Sequence, residues 1–278
     1  MKLSQDEKII WTLWFQGEER APEIVARCVN IWREMNPDFT LIFLSEDNIF
    51  DYVNRSEFNC IKFDNLAYPP KSDLIRLYLL SRFGGVWVDP TTICVSPLSA
   101  WLDLSGADFF AFENPGYDRP VANWFMASKK QGYIALKFYE AFKNYWVGRE
   151  SYRLVNDRSW LNRYARHPRL QWIWFSLLAR IFRVYPYFIN HYVFGDLLKK
   201  DVLFSTLWSR RSSLSAEPCN MPASLGMASP VSSALEEMIL TECPHVLKMS
   251  WKGADSSVIF NNKKVAGYVF LKMAGRAL

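Results

Sequence analysis

Lys71-Ser-Asp-Leu-Ile-Arg-Leu-Tyr-Leu-Leu-Ser-Arg-Phe-Gly-Gly-Val-Trp-Val-Asp-Pro-Thr-Thr92 reads as a helix, a break, and a strand that ends on an acid. Ser72 is a favourable N-cap, and Asp73 in a first turn complements the helix dipole. Leu74, Ile75, Leu77, Tyr78, Leu79 and Leu80 continue the helix until Gly84-Gly85 stops it. Val86-Trp87-Val88 is short and wholly apolar, as a strand buried on both faces is, and it delivers Asp89 at its C-terminal end. In open α/β sheets that edge is where ligands bind.

The sequence upstream supplies the rest of such a sheet. Lys8-Ile-Ile-Trp-Thr-Leu-Trp-Phe15 is another apolar strand, and Pro22 opens a helix carrying Ile24, Val25, Cys28, Val29 and Trp32 at helical spacing up to Asn36-Pro37. Thr40–Ser45 is a second strand with a short helix behind it, Glu46 to Val53, which gives β-α-β-α. Downstream, Asp108–Phe112 and Val121–Ser128 read as strands, Tyr133–Val147 and Phe188–Lys200 as helices, Ser212–Pro230 as a Ser/Pro/Met-rich loop, and His245–Lys252 as a short strand.

With 278 residues, half of them hydrophobic, the chain has enough apolar content for a large α/β domain, which excludes disorder and fibres. The net charge of +5 is concentrated: eight arginines between Arg149 and Arg183 face only Glu150 and Asp157. A basic patch confined to one insertion suits an anionic surface or a phosphate-bearing substrate better than nucleic acid. Leu170–Tyr185, apolar and Trp-rich but interrupted by Arg180 and Arg183, reads either as a helix lying in a membrane interface or as a core-packing helix. Five widely spaced cysteines read as reduced thiols of a cytosolic protein, and neither an export signal nor a membrane span is expected. His167, His191 and His245 are scattered and take no metal assignment.

Asp73 and Arg76, three apart, share a helix face, so the guanidinium can orient the carboxylate or reach an anion beside it. Gly84-Gly85 permits a tight turn and leaves room for a planar ligand against the backbone. Each feature has a plainer reading: a dipole-complementing acid, a surface ion pair, a helix stop, an Asp-Pro turn. Their combination is what points to a site.

Ser72-Asp73-x-x-Arg76 followed by Gly84-Gly85-Val86-Trp87-Val88-Asp89 resembles the sugar transferases with a DXD-type motif. It looks most like the capsular polysaccharide synthesis proteins, which are related to glycosyltransferase family 32 and, distantly, to the glucosyltransferase domains of large clostridial toxins. Ile9-Ile-Trp-x-x-Trp14-Phe-x-Gly17, Asn123-Trp-Phe-Met-Ala-Ser128 and Leu247-Lys-Met-Ser-Trp-Lys-Gly253 match as well. The resemblance covers residues 8–130 well and the C-terminal segment weakly, and leaves the Arg-rich stretch uncovered.

The resemblance implies a GT-A-type α/β fold, a Rossmann-like mostly parallel sheet flanked by helices, acting on a nucleotide-sugar, a UDP-sugar, with retention of configuration. Trp14 would then wall the uracil. Asp73 and Arg76 would hold sugar hydroxyls and orient the donor. Trp87 would belong to the donor-binding set, and Asp89 would serve the ribose, the sugar or a metal-bound pyrophosphate. Asn123 would line the sugar pocket, and Ser250, Trp251 and Lys252 would close over the diphosphate. Asp73, Arg76 and Asp89 form the implied catalytic set, with Mn2+ or Mg2+ on Asp89. One departure bears on that ion: Thr91 stands where the motif has its second acid, so metal affinity without nucleotide is expected to be poor, and Lys252 or Arg76 is an alternative source of positive charge.

The expected organisation is a nucleotide-sugar core over 1–148, a helical basic and aromatic insertion over 149–211, and a segment over 212–278 that completes the donor site. The insertion, through 149–188, is expected to touch the acceptor or the inner face of the plasma membrane, with a glycan or lipid-linked acceptor and no nucleic acid as partner. If the reaction used a covalent intermediate, Glu113 and Asp196 are the candidate nucleophiles by chain position. The other functional readings are a toxin-like transferase acting on a protein and a non-catalytic nucleotide- or carbohydrate-binding module.

Overall fold

The first apolar run becomes the heart of a sheet: β1 (Ile9–Leu13), buried at every residue, lies between β2 (Thr40–Leu44) and β3 (Gly85–Val88), both parallel to it. The structure, a computed structural model, describes residues 8–103, 107–149, 151–155, 177 and 179–274. The sheet continues through β6 (Arg119–Ser128) to β5 (Phe109–Gly116), in the order β2-β1-β3-β6-β5. β6 runs antiparallel to both its neighbours, so the other four strands all point one way. This is the mixed, mostly parallel α/β sheet flanked by helices that the sequence led us to expect.

Successive strand residues face opposite sides of the sheet, and both sides are apolar because both are covered. Ile9, Trp11, Leu13 and Trp87 enter one core, shared with α3 (Tyr68–Phe83) and α4 (Tyr133–Trp146). Ile10, Val86 and Val88 enter another, beneath Trp32 of α1 (Glu23–Met35), and the short α2 (Ile49–Tyr52) follows β2. Phe194 of α5 (Ile189–Lys200), with Phe204 and Trp208, joins the first core. The C-terminal residues Val265, Ala266 and Val269 pack with Ile24, Val25 and Val29 on the second side of the sheet.

A separate antiparallel pair closes the far end of β3. After Asp89 the chain turns and forms β4 (Thr92–Cys94), whose partner is β9 (Val246–Lys248), with Thr92 opposite Lys248 and Cys94 opposite Val246. The C-terminal quarter is thereby pinned beside the motif.

Three local readings are corrected. α3 starts at Tyr68, with Ala67 at its N-cap and Pro69-Pro70 in its first turn, so Ser72 is not a cap and Asp73 lies in the second turn. Proline is tolerated there because first-turn N–H groups have no intrahelical acceptor. The Ser212–Pro230 stretch contains a helix, Glu217–Leu225, held by burial of Cys219 and Pro222. The glycine pair leaves no room for a ligand. A Cβ on Gly84 would lie 2.5 Å from the Lys130 backbone nitrogen, and one on Gly85 would lie 2.6 Å from the Ile9 carbonyl oxygen, so neighbouring chain fills that space.

Of the Leu170–Tyr185 stretch, residues 170–176 and 178 lie outside the described residues, as does His167. Ala179–Phe182 is a single helical turn, and Val184–Pro186 (β8) pairs in parallel with Arg153–Val155 (β7).

Candidate active site

α3 is apolar on nearly every side because it is buried between the sheet and α4, so a charge on it must be paired. Asp73 and Arg76 are 9% and 4% exposed, and Arg76 Nη1 lies 3.2 Å from Asp73 Oδ1. The same guanidinium donates through Nη2 to Asp89 Oδ1 at 3.0 Å and through Nη1 to the Asn123 carbonyl oxygen. It lies 4.8 Å from the centre of the Trp87 ring. One arginine therefore ties together α3, the end of β3, and β6.

Trp87 is fully buried and donates its indole N–H to Asp89 Oδ1 at 3.1 Å, so its part in the site is to hold Asp89. The backbone N–H of Asp89 donates to the Trp124 carbonyl at 2.8 Å, and its carbonyl accepts from the Thr92 hydroxyl at 2.7 Å. Asn123 donates to Asp73 Oδ1 at 3.3 Å. Asp73, Arg76, Trp87, Asp89 and Asn123, all named from the sequence, meet in one cluster.

The ammonium that completes the cluster belongs to Lys248. Its Nζ donates to Thr91 Oγ1 at 2.7 Å and to Asp89 Oδ2 at 3.3 Å. Sequence reasoning passed over this residue and named its neighbours. The available signal was a lone lysine ending an apolar strand, Val246-Leu247-Lys248, but its partner across the ladder is 156 positions away in sequence.

Ser250, Trp251 and Lys252 form the exposed turn after β9. The Lys252 N–H donates to the Ser250 hydroxyl, Gly253 follows at positive φ, and Trp251 is half exposed. Trp251 packs edge-on against Trp14, ring centres 6.1 Å apart, so the two indoles named from opposite ends of the chain are neighbours.

Helix α5 adds Asn190, another residue the sequence did not single out. It is 1% exposed, neither side-chain atom has a hydrogen-bond partner, and it lies close enough to Asp73 to help stabilise that carboxylate. Tyr185 and Tyr187 also feel the Asp73 charge. Next to Asn190, His191 is held neutral by burial and engages the Val121 carbonyl at 2.6 Å through Nδ1. Glu113 pairs with Arg211, and Asp196 pairs with Lys200 at 2.7 Å, so neither joins this cluster as a nucleophile.

The two carboxylates titrate differently. Burial pushes the Asp73 carboxyl up to about 6, against the attraction of Arg76. Burial acts on Asp89 in the same direction, but Lys248 and then Arg76 outweigh it and hold that carboxyl below its ordinary value.

A divalent cation of the kind the motif implies takes carboxylate oxygens directly. Both Asp89 oxygens already accept, one from Arg76 and Trp87 and the other from Lys248, while Thr91 presents a hydroxyl engaged by the same ammonium. Among the described residues no group of three or more His, Cys, Asp or Glu is placed to hold a metal ion. This donor set does not fit a metal held by the protein.

The protein is of the open α/β class, and its largely buried ion cluster lies at the carboxyl edge of the sheet, where proteins of that class bind ligands. Residues 1–154 match the family described as capsular polysaccharide synthesis protein, which is more than half of the chain, and the chain belongs to that family. It is 28% identical over 162 residues to the O-glycosyltransferase braB of Annulohypoxylon truncatum, covering 51% of this chain and 38% of that protein. It is 26% identical over 172 residues to the glycosyltransferase afumC of Aspergillus fumigatus, covering 52% and 42%. Inositol phosphoceramide mannosyltransferase 1 of Schizosaccharomyces pombe is 26% identical over 142 residues, covering 49% and 42%. The matches thus span less than half the length of each of these relatives. Among solved structures, PaToxG Glycosyltransferase aligns over 97% of this chain and 87% of its own, at 14% identity and a TM-score of 0.43.

Proposed function

We propose that this chain is a glycosyltransferase that moves a sugar from a UDP-sugar to a polysaccharide or lipid-linked oligosaccharide acceptor, with retention, in the synthesis of a bacterial capsule or surface polysaccharide. The observation that carries the reading is the convergence of Asp73, Arg76, Asp89, Asn123 and Lys248 at the carboxyl edge of β3, drawn from segments far apart in sequence. The names of the relatives, each a glycosyl- or mannosyltransferase, support it.

Glycosyl transfer leaves a nucleoside diphosphate with growing negative charge and an anomeric carbon with growing positive charge. In this reading Lys248 and Arg76 face the diphosphate, Asp73, Asn123 and Asn190 bind sugar hydroxyls, and the Trp14–Trp251 pair walls the base. With retention, the departing phosphate oxygen takes the acceptor proton on the same face of the sugar, so no separate base is required. The anomeric signal of the product in NMR decides that point.

The acceptor side of the proposal rests on a small apolar and basic surface. Leu154, Leu177, Ile181 and Phe182 are exposed beside Arg153, Arg180 and Arg183, a composition suited to an anionic leaflet. No helix among the described residues is long and apolar enough to cross a membrane. The contact proposed for this surface is peripheral, at the inner face of the plasma membrane.

Calorimetry with UDP, on the native chain and on Asp89→Asn, tests the donor site. Saturable binding that weakens by about tenfold or more in the variant is expected, since Asp89 is the acid that holds the Lys248 ammonium and the Arg76 guanidinium in place to face the diphosphate. Slow release of sugar from a UDP-sugar to water, absent in the variant, distinguishes a transferase from a binding module. Absence of UDP binding in the native chain would remove the UDP-sugar reading.

A further inference from the structure

The motif's missing acid and the unforeseen lysine are one feature. Thr91 stands at the position of the second carboxylate, and the group resting on its hydroxyl is the Lys248 ammonium, 2.7 Å away and also 3.3 Å from Asp89 Oδ2. Where an Asp-x-Asp pair is built to draw in a dication, this chain places a monovalent cation of its own.

We propose that Lys248 replaces the divalent metal ion at this site, so that the chain binds the diphosphate of its donor, and carries the charge of the leaving group, without metal. The inference rests on the donor-site reading above and goes beyond it by assigning the charge chemistry.

Four observations carry it. Asp73 and Asp89 are already matched by Arg76 and Lys248, and a cluster without net negative charge has little attraction for a dication. Both oxygens of Asp89 are occupied by hydrogen-bond donors, so a metal would have to displace a guanidinium, an indole or an ammonium to reach it. Lys248 is also fixed by more than its side chain: its backbone pairs opposite Thr92, and the next residue, Met249, donates its N–H to the Thr91 carbonyl at 2.8 Å. The ladder that aligns β9 on β4 therefore presents the ammonium to the acid with little freedom to lose on binding. An ammonium carries three N–H donors. Asp89 and Thr91 take two, and the side chain remains 18% exposed, which leaves a donor for a phosphate oxygen.

The alternative is that Lys248 only neutralises Asp89, as a structural counter-ion. In that case its removal should disturb the fold but leave the metal requirement of nucleotide binding unchanged.

The test is UDP calorimetry on the native chain in EDTA and again with Mn2+ in excess, repeated on Lys248→Met, Thr91→Val and the double variant Thr91→Asp/Lys248→Met, with melting curves for each. The proposal expects native affinity to be the same in EDTA and Mn2+ to within about threefold, and to fall by about tenfold or more in Lys248→Met. Thr91→Val, which removes only the hydroxyl under the ammonium, should fall between the two. The double variant should regain affinity with Mn2+ and lose it in EDTA. Native binding that requires Mn2+ overturns the proposal while leaving the donor site standing, as does a folded Lys248→Met that binds as the native chain does. If the native chain binds no UDP in either condition, the donor-site reading falls, and this inference falls with it.

Discussion

At the scale of single residues, the site is defined by which charges are buried and what matches them. Asp73 has an ordinary carboxyl pKa of 3.8 in the unfolded chain and one near 6 in the fold, raised chiefly by burial. Between these values the native state holds more protons than the unfolded one, so this group's contribution to stability falls as pH rises through that window and stays lost above it. Asp73→Asn should therefore gain stability relative to the native chain as pH rises from 4 past 6, while donor hydrolysis falls. Melting curves across this range check it, and a difference that does not change with pH contradicts the burial argument. Asn190 offers a second residue-scale prediction. Its amide is buried without a well-formed hydrogen bond and its one polar neighbour is the Asp73 carboxylate, so it is under-satisfied in the absence of ligand. Asn190→Leu should change stability by no more than about 1 kcal/mol, because relief of the under-satisfied amide offsets the support lost by Asp73, and leave UDP affinity alone, but weaken the UDP-sugar. If both ligands weaken equally, Asn190 has no special role towards the sugar.

The elements were legible where one physical cause dominated. Apolar runs of four or five residues bounded by polar breaks became β1, β2 and β3, and the Pro22 to Asn36 periodicity became α1. The misreadings came where burial overrode a local signal. Pro69 and Pro70 looked like a connection and instead begin α3, and a Pro-rich stretch folded into Glu217–Leu225 because its Cys219 and Pro222 reach the core. The glycine pair was recognised, but its purpose was not: positive φ at Gly84 and Gly85 lets α3 end against β6 and lets β3 start against β1. Gly85→Ala pits a Cβ against the Ile9 carbonyl in a conformation an L-residue rarely adopts, so a loss of about 3 kcal/mol in urea unfolding is expected. A loss below about 1 kcal/mol would mean the two strands separate easily there.

At the scale of the whole molecule, the site depends on the C-terminal quarter folding back. The β4–β9 ladder brings Lys248 to Asp89, and the turn after it sets Trp251 against Trp14. Binding at such a junction should stabilise all the joined segments together. Hydrogen exchange with and without UDP should show slowed amides at 89–92 and 246–252 in step, with β5 little changed. Protection confined to 89–92 would separate the C-terminal segment from the donor site.

The sequence by itself determined the strand-and-helix order of the first half and the triad Asp73, Arg76 and Asp89, because these follow from short-range patterning and from a motif whose members lie within 17 positions of one another. Only the tertiary structure decided that Lys248 and Asn190 share that site, that Trp87 supports it from beneath, and that Thr91 receives an ammonium. These are contacts between segments far apart along the chain, set by strand register and by the packing of α5 on the sheet, and no local pattern of residues encodes a register with a partner that distant.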